Sequence, residues 1–237
     1  MENKEMNQHE QISKQPENKS TDTAKNGVLL YLHDLVCLLS GIVLVLLLLF
    51  RIVVVSGPSM NATLIDGDYL LLLSNVFYGE PKHGDIIVAT KADFKNGEPI
   101  IKRVIATEGQ TVDIDFDAGI VFVDGTPLDE PYTLTPTNQE EGMTFPLTVE
   151  EGCIFVMGDN RNMSKDSRNP EIGLIDTRQV LGKAIFLIFP GNNGGQLPRD
   201  INRIGALRGY QLAEKISVKN GINFEELKEK MPPPSFK

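Results

Sequence analysis

Ser59, Lys102 and the run Gly158-Asp159-Asn160-Arg161-Asn162-Met163-Ser164-Lys165-Asp166-Ser167-Arg168 hold the residue types needed to turn a hydroxyl into a nucleophile. A serine hydroxyl reacts poorly until a neighbour removes its proton, and a lysine can do this only when neutral. Free lysine titrates near ~10.4, so at pH 7 only about one in 10³ offers a lone pair. A lowering of roughly three pH units, about 4 kcal/mol against the charged form, is within reach of a desolvated lysine. Lys102 lies between Pro99-Ile100-Ile101 and Val104-Ile105-Ala106. On a strand it would project from a segment that is otherwise core, with Arg103 on the opposite face.

The third segment follows directly on the apolar run Cys153-Ile154-Phe155-Val156-Met157. A calcium loop would place acids at closer, regular spacing, whereas here two arginines offset Asp159 and Asp166. The alternating charges instead suit a buried polar hub whose arginines fork onto its aspartates. Within that hub Ser164 could hold a neutral lysine amine toward Ser59.

Short β-branched and aromatic runs surround these residues: Asp85-Ile86-Ile87-Val88, Thr111-Val112-Asp113-Ile114-Asp115-Phe116, Ile120-Val121-Phe122-Val123, the run before Gly158, and Ala184-Ile185-Phe186-Leu187-Ile188-Phe189. Asn96-Gly97, Asp124-Gly125 and Glu151-Gly152 supply turns between them. The spacing predicts a mainly β domain, a sandwich or barrel-like antiparallel sheet assembly, over residues 56–190. Leu70 to Leu73 with Val76-Phe77 reads either as a core strand or as an apolar lip at a lipid interface.

One hydrophobic span precedes this domain. Residues 35–50 carry no charge, and the apolar stretch over 27–55 is long enough for a helix to cross roughly 30 Å of hydrocarbon. It is too long for the apolar region of a removable leader, and no small-x-small cut site follows it. Residues 1–26, rich in Asn, Gln, Glu, Lys and Ser, are expected to be disordered. Lys14, Lys19 and Lys25 precede the span, and after Arg51 no Lys or Arg occurs until Lys82, so the N-terminus is expected in the cytoplasm and the β domain outside. Residues 191–237 read as a linker and tail with a short helix at 223–231, devoid of chemistry.

Composition narrows the partners. The 237 residues carry 23 basic and 32 acidic side chains, a formal net charge of -9, with no dense basic cluster, which argues against nucleic acid. Two separated cysteines and three scattered histidines suggest neither a disulfide nor a metal site, and no cofactor is expected.

Taken together, Ser59-Met60-Asn61-Ala62-Thr63-Leu64, Asp66-Gly67-Asp68, Gly84-Asp85-Ile86-Ile87-Val88, Lys102-Arg103-Val104-Ile105 and the 158–168 run resemble the ordered sequence boxes of bacterial type I signal peptidases. The stretch Val121-Phe122-Val123-Asp124-Gly125 through Glu130-Pro131-Tyr132 is similar to a hairpin region of that family. The resemblance implies a coiled antiparallel β-sheet catalytic domain behind one transmembrane helix, single-pass in the plasma membrane. It also implies a serine endopeptidase that cleaves signal peptides from secretory preproteins at small-x-small sites. By it, Ser59 is the nucleophile, Lys102 the general base, Ser164 orients the amine, and Asp166 with Arg168 braces the site, supported by Asp159. The family's oxyanion is held by the nucleophile's backbone N–H and, in some members, by a hydroxyl two positions earlier. Here that position is Gly57, so Ser56 or another donor must complete the hole. Ala62 stands where the family usually has proline, and Ala106 and Glu108 fill its small-residue and proline positions. A self-cleaving serine–lysine repressor would share the chemistry, but it needs a DNA-binding segment that the tail and span leave no room for.

Overall fold

The computed structural model describes residues 19–61, 63–92, 94 and 97–207, with side chains from 27 onward. The first 18 residues, Ala62, Asn96 and the helix expected at 223–231 lie outside the described residues. Two compact units divide the chain, one ending at Leu46 and one beginning at Leu47.

The first unit holds most of helix α1, Lys19–Leu49. Its Gly27–Leu49 portion, 23 residues, is long and apolar enough to cross a membrane. Two expectations differ here. The helix already runs from Lys19, inside the segment read as disordered tail, because an apolar helix once nucleated extends through residues without strong breakers. At its other end it stops at Leu49, not Val55: Phe50–Val54 forms strand β1, paired antiparallel with β2, Tyr69–Ser74, from Phe50 opposite Leu73 to Val54 opposite Tyr69. An unbroken apolar run fits either state, and a neighbouring strand with open hydrogen-bonding groups selects the extended one.

In chain order the remaining elements are the short helix α2 (Asn75–Tyr78), β3 (Ile86–Ala89), β4 (Ile100–Thr107), β5 (Thr111–Asp115), β6 (Ile120–Val123), β7 (Thr126–Pro127), β8 (Leu147–Thr148), β9 (Cys153–Met157), β10 (Ile175–Asp176), β11 (Val180–Phe189) and β12 (Gly205–Ala206). They form an eight-stranded sheet in the order β1-β2-β11-β3-β4-β9-β10, with β12 on β11, and a four-stranded sheet β7-β6-β5-β8. Every pairing among them is antiparallel. The β6–β7 hairpin turns at Asp124-Gly125, both at positive φ, as a two-residue primed turn requires.

The large sheet is covered on both faces, which is why its inner strands read as continuous apolar runs rather than alternating ones. On β3, Ile86 and Val88 join Met60, Leu64, Leu70, Leu72, Ala184 and Leu187, while Ile87 and Ala89 join Val104, Ile154, Val156 and Ile175. On β9, Phe155 and Met157 join a third core with Val112, Ile114, Val121 and Val123 of the small sheet. Leu70 and Leu72 are thus core residues of a strand, whereas Val76 and Phe77 of α2 are exposed. The folded domain also continues past Pro190, the expected boundary: β12 pairs with Phe186 and Leu187, and Arg203 is buried against Asp68.

Candidate active site

Three chain segments meet at one end of β4 and β9. Residues 55–68 carry Ser59, β4 carries Lys102 and Arg103, and the loop leaving β9 carries residues 158–168. The register places Lys102 opposite Ile87 and Arg103 opposite both Ile86 and Met157, so the strand ladder itself fixes the height of Lys102 beside the loop.

The Ser59 segment is pinned by its own backbone. Val55 N–H donates to the Asp68 carbonyl at 2.8 Å, Gly67 N–H to the Val55 carbonyl at 2.9 Å, and Gly57 N–H to Asp66 Oδ1 at 2.9 Å. Gly57 sits at φ +87°, a region that strains any residue with a Cβ, so a hydroxyl-bearing side chain does not fit there. From the far side Asn160 donates its N–H to the Ser59 carbonyl at 3.0 Å and its Nδ2 to the Pro58 carbonyl at 3.1 Å. Asp68 anchors the segment by an ion pair to Arg203 at 2.5 Å and by accepting from Gly191 N–H at 2.6 Å.

Lys102 is 5% exposed, and its Nζ lies 3.0 Å from Ser59 Oγ and 3.1 Å from the Ile101 carbonyl. Arg103 reaches away from Ser59: its Nε and Nη2 fork onto Asp159 at 2.7 and 2.6 Å, and its Nη1 donates to the Gly84 carbonyl at 2.9 Å. Thr63 donates its hydroxyl to the same Asp159 carboxylate, tying the Ser59 segment to the loop.

The loop's charges do not all pair internally, as its composition suggested. Arg168 does fork onto Asp166, at 2.8 and 2.9 Å, and Asp166 accepts from Gly158 N–H at 2.9 Å. Burial alone would push the Asp166 carboxyl up, but Arg168, the Gly158 N–H and Lys102 hold it below the ordinary carboxylate range. Asp159 belongs instead to Arg103, and Arg161 is claimed by Glu130 with two bonds of 2.6 Å. Tyr132 is buried under both guanidinium groups, 4.0 Å from Arg103 and 5.8 Å from Arg161, and burial followed by the Glu130 charge raises its phenol.

Ser164 departs from expectation. It is buried beside Gly158, and among the described residues its Oγ has no hydrogen-bond partner, the Lys102 amine included. A Cβ at Gly158 would collide with both Ser164 Oγ and the Ser59 carbonyl, so glycine lets the loop close this tightly. Ser56 is exposed, and Gly57 N–H is committed to Asp66.

Glu141 and Arg203 stand outside every motif in the sequence, while Thr63, Asn160, Glu130 and Tyr132 lie inside the stretches of the resemblance without a role assigned to them. Most pair with residues far away in the chain, as Arg203 does with Asp68, so nothing local gives the role. A groove of about 520 Å³ passes Ser59 and Lys102, walled by Val53 to Val55, Phe94, Pro99 and Ile100 among others.

Comparison with known proteins matches residues 28–189 to the family described as signal peptidase, peptidase S26. Signal peptidase I of Bacillus licheniformis is 37% identical over 184 residues, covering 74% of this chain and 96% of that protein. Signal peptidase I T of Bacillus subtilis strain 168 is 36% identical over 194 residues, covering 74% and 96%. A probable signal peptidase I-1 of Synechocystis is 38% identical over 169 residues, covering 66% and 82%. A crystal structure of a signal peptidase I from Enterococcus faecalis V583 aligns with 45% of this chain and 97% of its own, at 30% identity and a TM-score of 0.37. With the family match spanning more than half of its length and relatives above 30% identity covered almost end to end, the chain belongs to the signal peptidase family, peptidase S26.

Proposed function

We propose that Ser59 and Lys102 are the nucleophile and general base of this peptidase. The chain is a serine endopeptidase of the signal peptidase I class, and its substrates are the signal peptides of secretory preproteins. The observation that carries the residue assignment is the buried Lys102 Nζ at 3.0 Å from Ser59 Oγ.

In the acylation step Ser59 Oγ attacks the scissile carbonyl while its proton passes to Lys102 Nζ. The tetrahedral oxyanion collapses, the C–N bond breaks, and the Lys102 ammonium protonates the departing amine of the mature chain. Water then attacks the acyl-enzyme and gives a proton to Lys102; the Ser59 Oγ–C bond breaks, Lys102 returns the proton to Oγ, and the signal peptide leaves as a carboxylic acid. The Ser59 backbone N–H is the first oxyanion donor. Gly57 N–H is taken up by Asp66, so the second donor is Ser56, exposed at the groove, or another group that a bound substrate recruits.

The groove wall of Val53, Val54 and Val55 with Pro99 and Ile100 is apolar and suits an extended segment with small side chains before the cut. The span at Gly27–Leu49 anchors the enzyme in the plasma membrane, with the N-terminus cytoplasmic and the catalytic domain outside, as the Lys14, Lys19 and Lys25 bias directs. Lipid is then its second partner.

The test uses the detergent-solubilised full chain and a preprotein with an Ala-x-Ala site. Ser59→Ala and Lys102→Ala should each abolish cleavage while leaving the thermal midpoint within a few degrees; substantial turnover in either variant removes that residue from its role. The unsubstituted enzyme should gain activity with rising pH through a midpoint well below the ~10.4 of free lysine.

A further inference from the structure

Beside the catalytic loop lies a second cavity, of about 490 Å³, walled by Gln139, Glu140 and Glu141 on one segment and by Asn162 to Lys165 and Asn169 on the other. Two buried polar atoms in these walls lack a hydrogen-bond partner among the described residues: Ser164 Oγ, next to the proposed nucleophile, and Glu141 Oε2. Leaving a carboxylate oxygen unsatisfied is costly, more so when charged, and the cost falls if the group holds a proton.

Glu141 is only partly compensated: burial and the Asp166 charge oppose its ionised form, while Arg168, a hydrogen bond from the Asp166 backbone N–H and Lys102 favour it. Its side chain is 8% exposed, and its Oε1 lies 3.2 Å from Arg168 Nη2. That same guanidinium is already forked onto Asp166 and also donates to the Arg161 carbonyl at 2.6 Å. One arginine therefore serves two carboxylates. The charged groups facing Glu141 are Asp166 and Arg168 from the loop and Lys102 from β4. Glu140 and Lys165 line the same cavity, and Lys165 is paired with Glu171 at 2.6 Å.

We propose that Glu141 is a positioning residue for the reaction: by holding or losing a proton it removes or adds a negative charge near Lys102 and so sets whether that amine is neutral. The proposal rests on Lys102 as general base. With Glu141 protonated, Asp166 is the one carboxylate of this cluster facing Arg168 and Lys102, and the amine gives up its proton more readily. With Glu141 ionised, the second negative charge retains the ammonium. Burial, followed by the Asp166 charge, pushes the Glu141 carboxyl up to about 7, so the exchange falls within the working range. Loss of one proton then opposes loss of the other, and the rise of activity with pH spreads over a wider range than a single titration.

The experiment compares the pH dependence of kcat/KM for the full chain and for Glu141→Gln, which keeps the shape and an acceptor for Arg168. The expected result is a steeper acidic limb displaced to lower pH by roughly one unit. A limb unmoved or moved to higher pH, in a variant whose thermal midpoint is retained, overturns the proposal. Should the variant not fold, a ¹³C titration of the Glu141 carboxyl in the unsubstituted protein decides: a midpoint above about 6 supports it, and one near the ordinary ~4.3 overturns it. Lys102→Ala separates the two claims, since a silent Lys102→Ala with an unshifted Glu141→Gln limb sinks only the role of Glu141.

Discussion

Arg103 and Asp159 are both fully buried, and the pair joins β4 to the catalytic loop through a bidentate fork. Taking away one partner strands the other as an uncompensated buried charge, a loss of about 3–5 kcal/mol. Asp159→Ala should therefore lower the unfolding free energy by that amount in a denaturant titration, far more than Asp176→Ala, whose partner Arg178 is exposed. Ser164 makes the opposite case. Its hydroxyl is buried without a partner, so Ser164→Ala should leave the thermal midpoint unchanged or raised, and a drop would mean that the hydroxyl is satisfied after all. Glu141 gives a third reading at this scale. Its folded-state carboxyl titrates near 7 against an ordinary value near 4.5, so the native state binds the extra proton between these values. Stability from this group is fully present below about pH 4.5 and is lost as pH rises toward 7. The thermal midpoint of Glu141→Gln relative to the parent should accordingly climb across that window.

At the scale of elements, β11 carries the large sheet, pairing with β2 on one side, β3 on the other and β12 at its far end. Its Gly182 faces Ser74 across the ladder, and a Cβ there would run into the Leu73 carbonyl, a backbone atom that cannot swing aside. Gly182→Val should destabilise the domain by about 1–3 kcal/mol or more, read as a lower midpoint in thermal denaturation. Because β2 leads back to the Ser59 segment and β3 flanks Lys102, the same change should also weaken cleavage. This linkage was only partly visible beforehand. The β-branched runs mark β3, β5, β6, β9 and much of β11, but β1 is indistinguishable in sequence from the end of the helix, since Phe50 to Val54 is largely apolar and fits either state.

At the scale of the molecule, the chain divides at Leu46, and the second unit holds every residue of the proposed site. A chain beginning at residue 50 keeps β1 on β2 and should fold as a β protein by circular dichroism. One beginning at residue 56 strips β1 from the edge, leaving the β2 ladder from Tyr69 to Leu73 open, and should show a lower midpoint and self-association in size-exclusion chromatography. Equal behaviour of the two would mean that β1 contributes nothing to the sheet.

Residue types and their order were enough to read the chemistry and the architecture. A serine after Gly57-Pro58, a lysine inside an apolar strand and a charged run after another strand are local patterns, and local patterns survive without coordinates. The span and the turns at Asp124-Gly125 and Glu151-Gly152 are of the same kind, fixed by hydrocarbon thickness and by backbone sterics. What only the folded chain decided was who pairs with whom. Asp159 takes Arg103 over the loop's own arginines, Arg161 takes Glu130, Asp68 takes the distant Arg203, and Ser164 is buried against Gly158 with its hydroxyl unpaired among the described residues. A charge chooses its partner by proximity and burial, and both are created by tertiary contacts between residues that sequence order keeps apart.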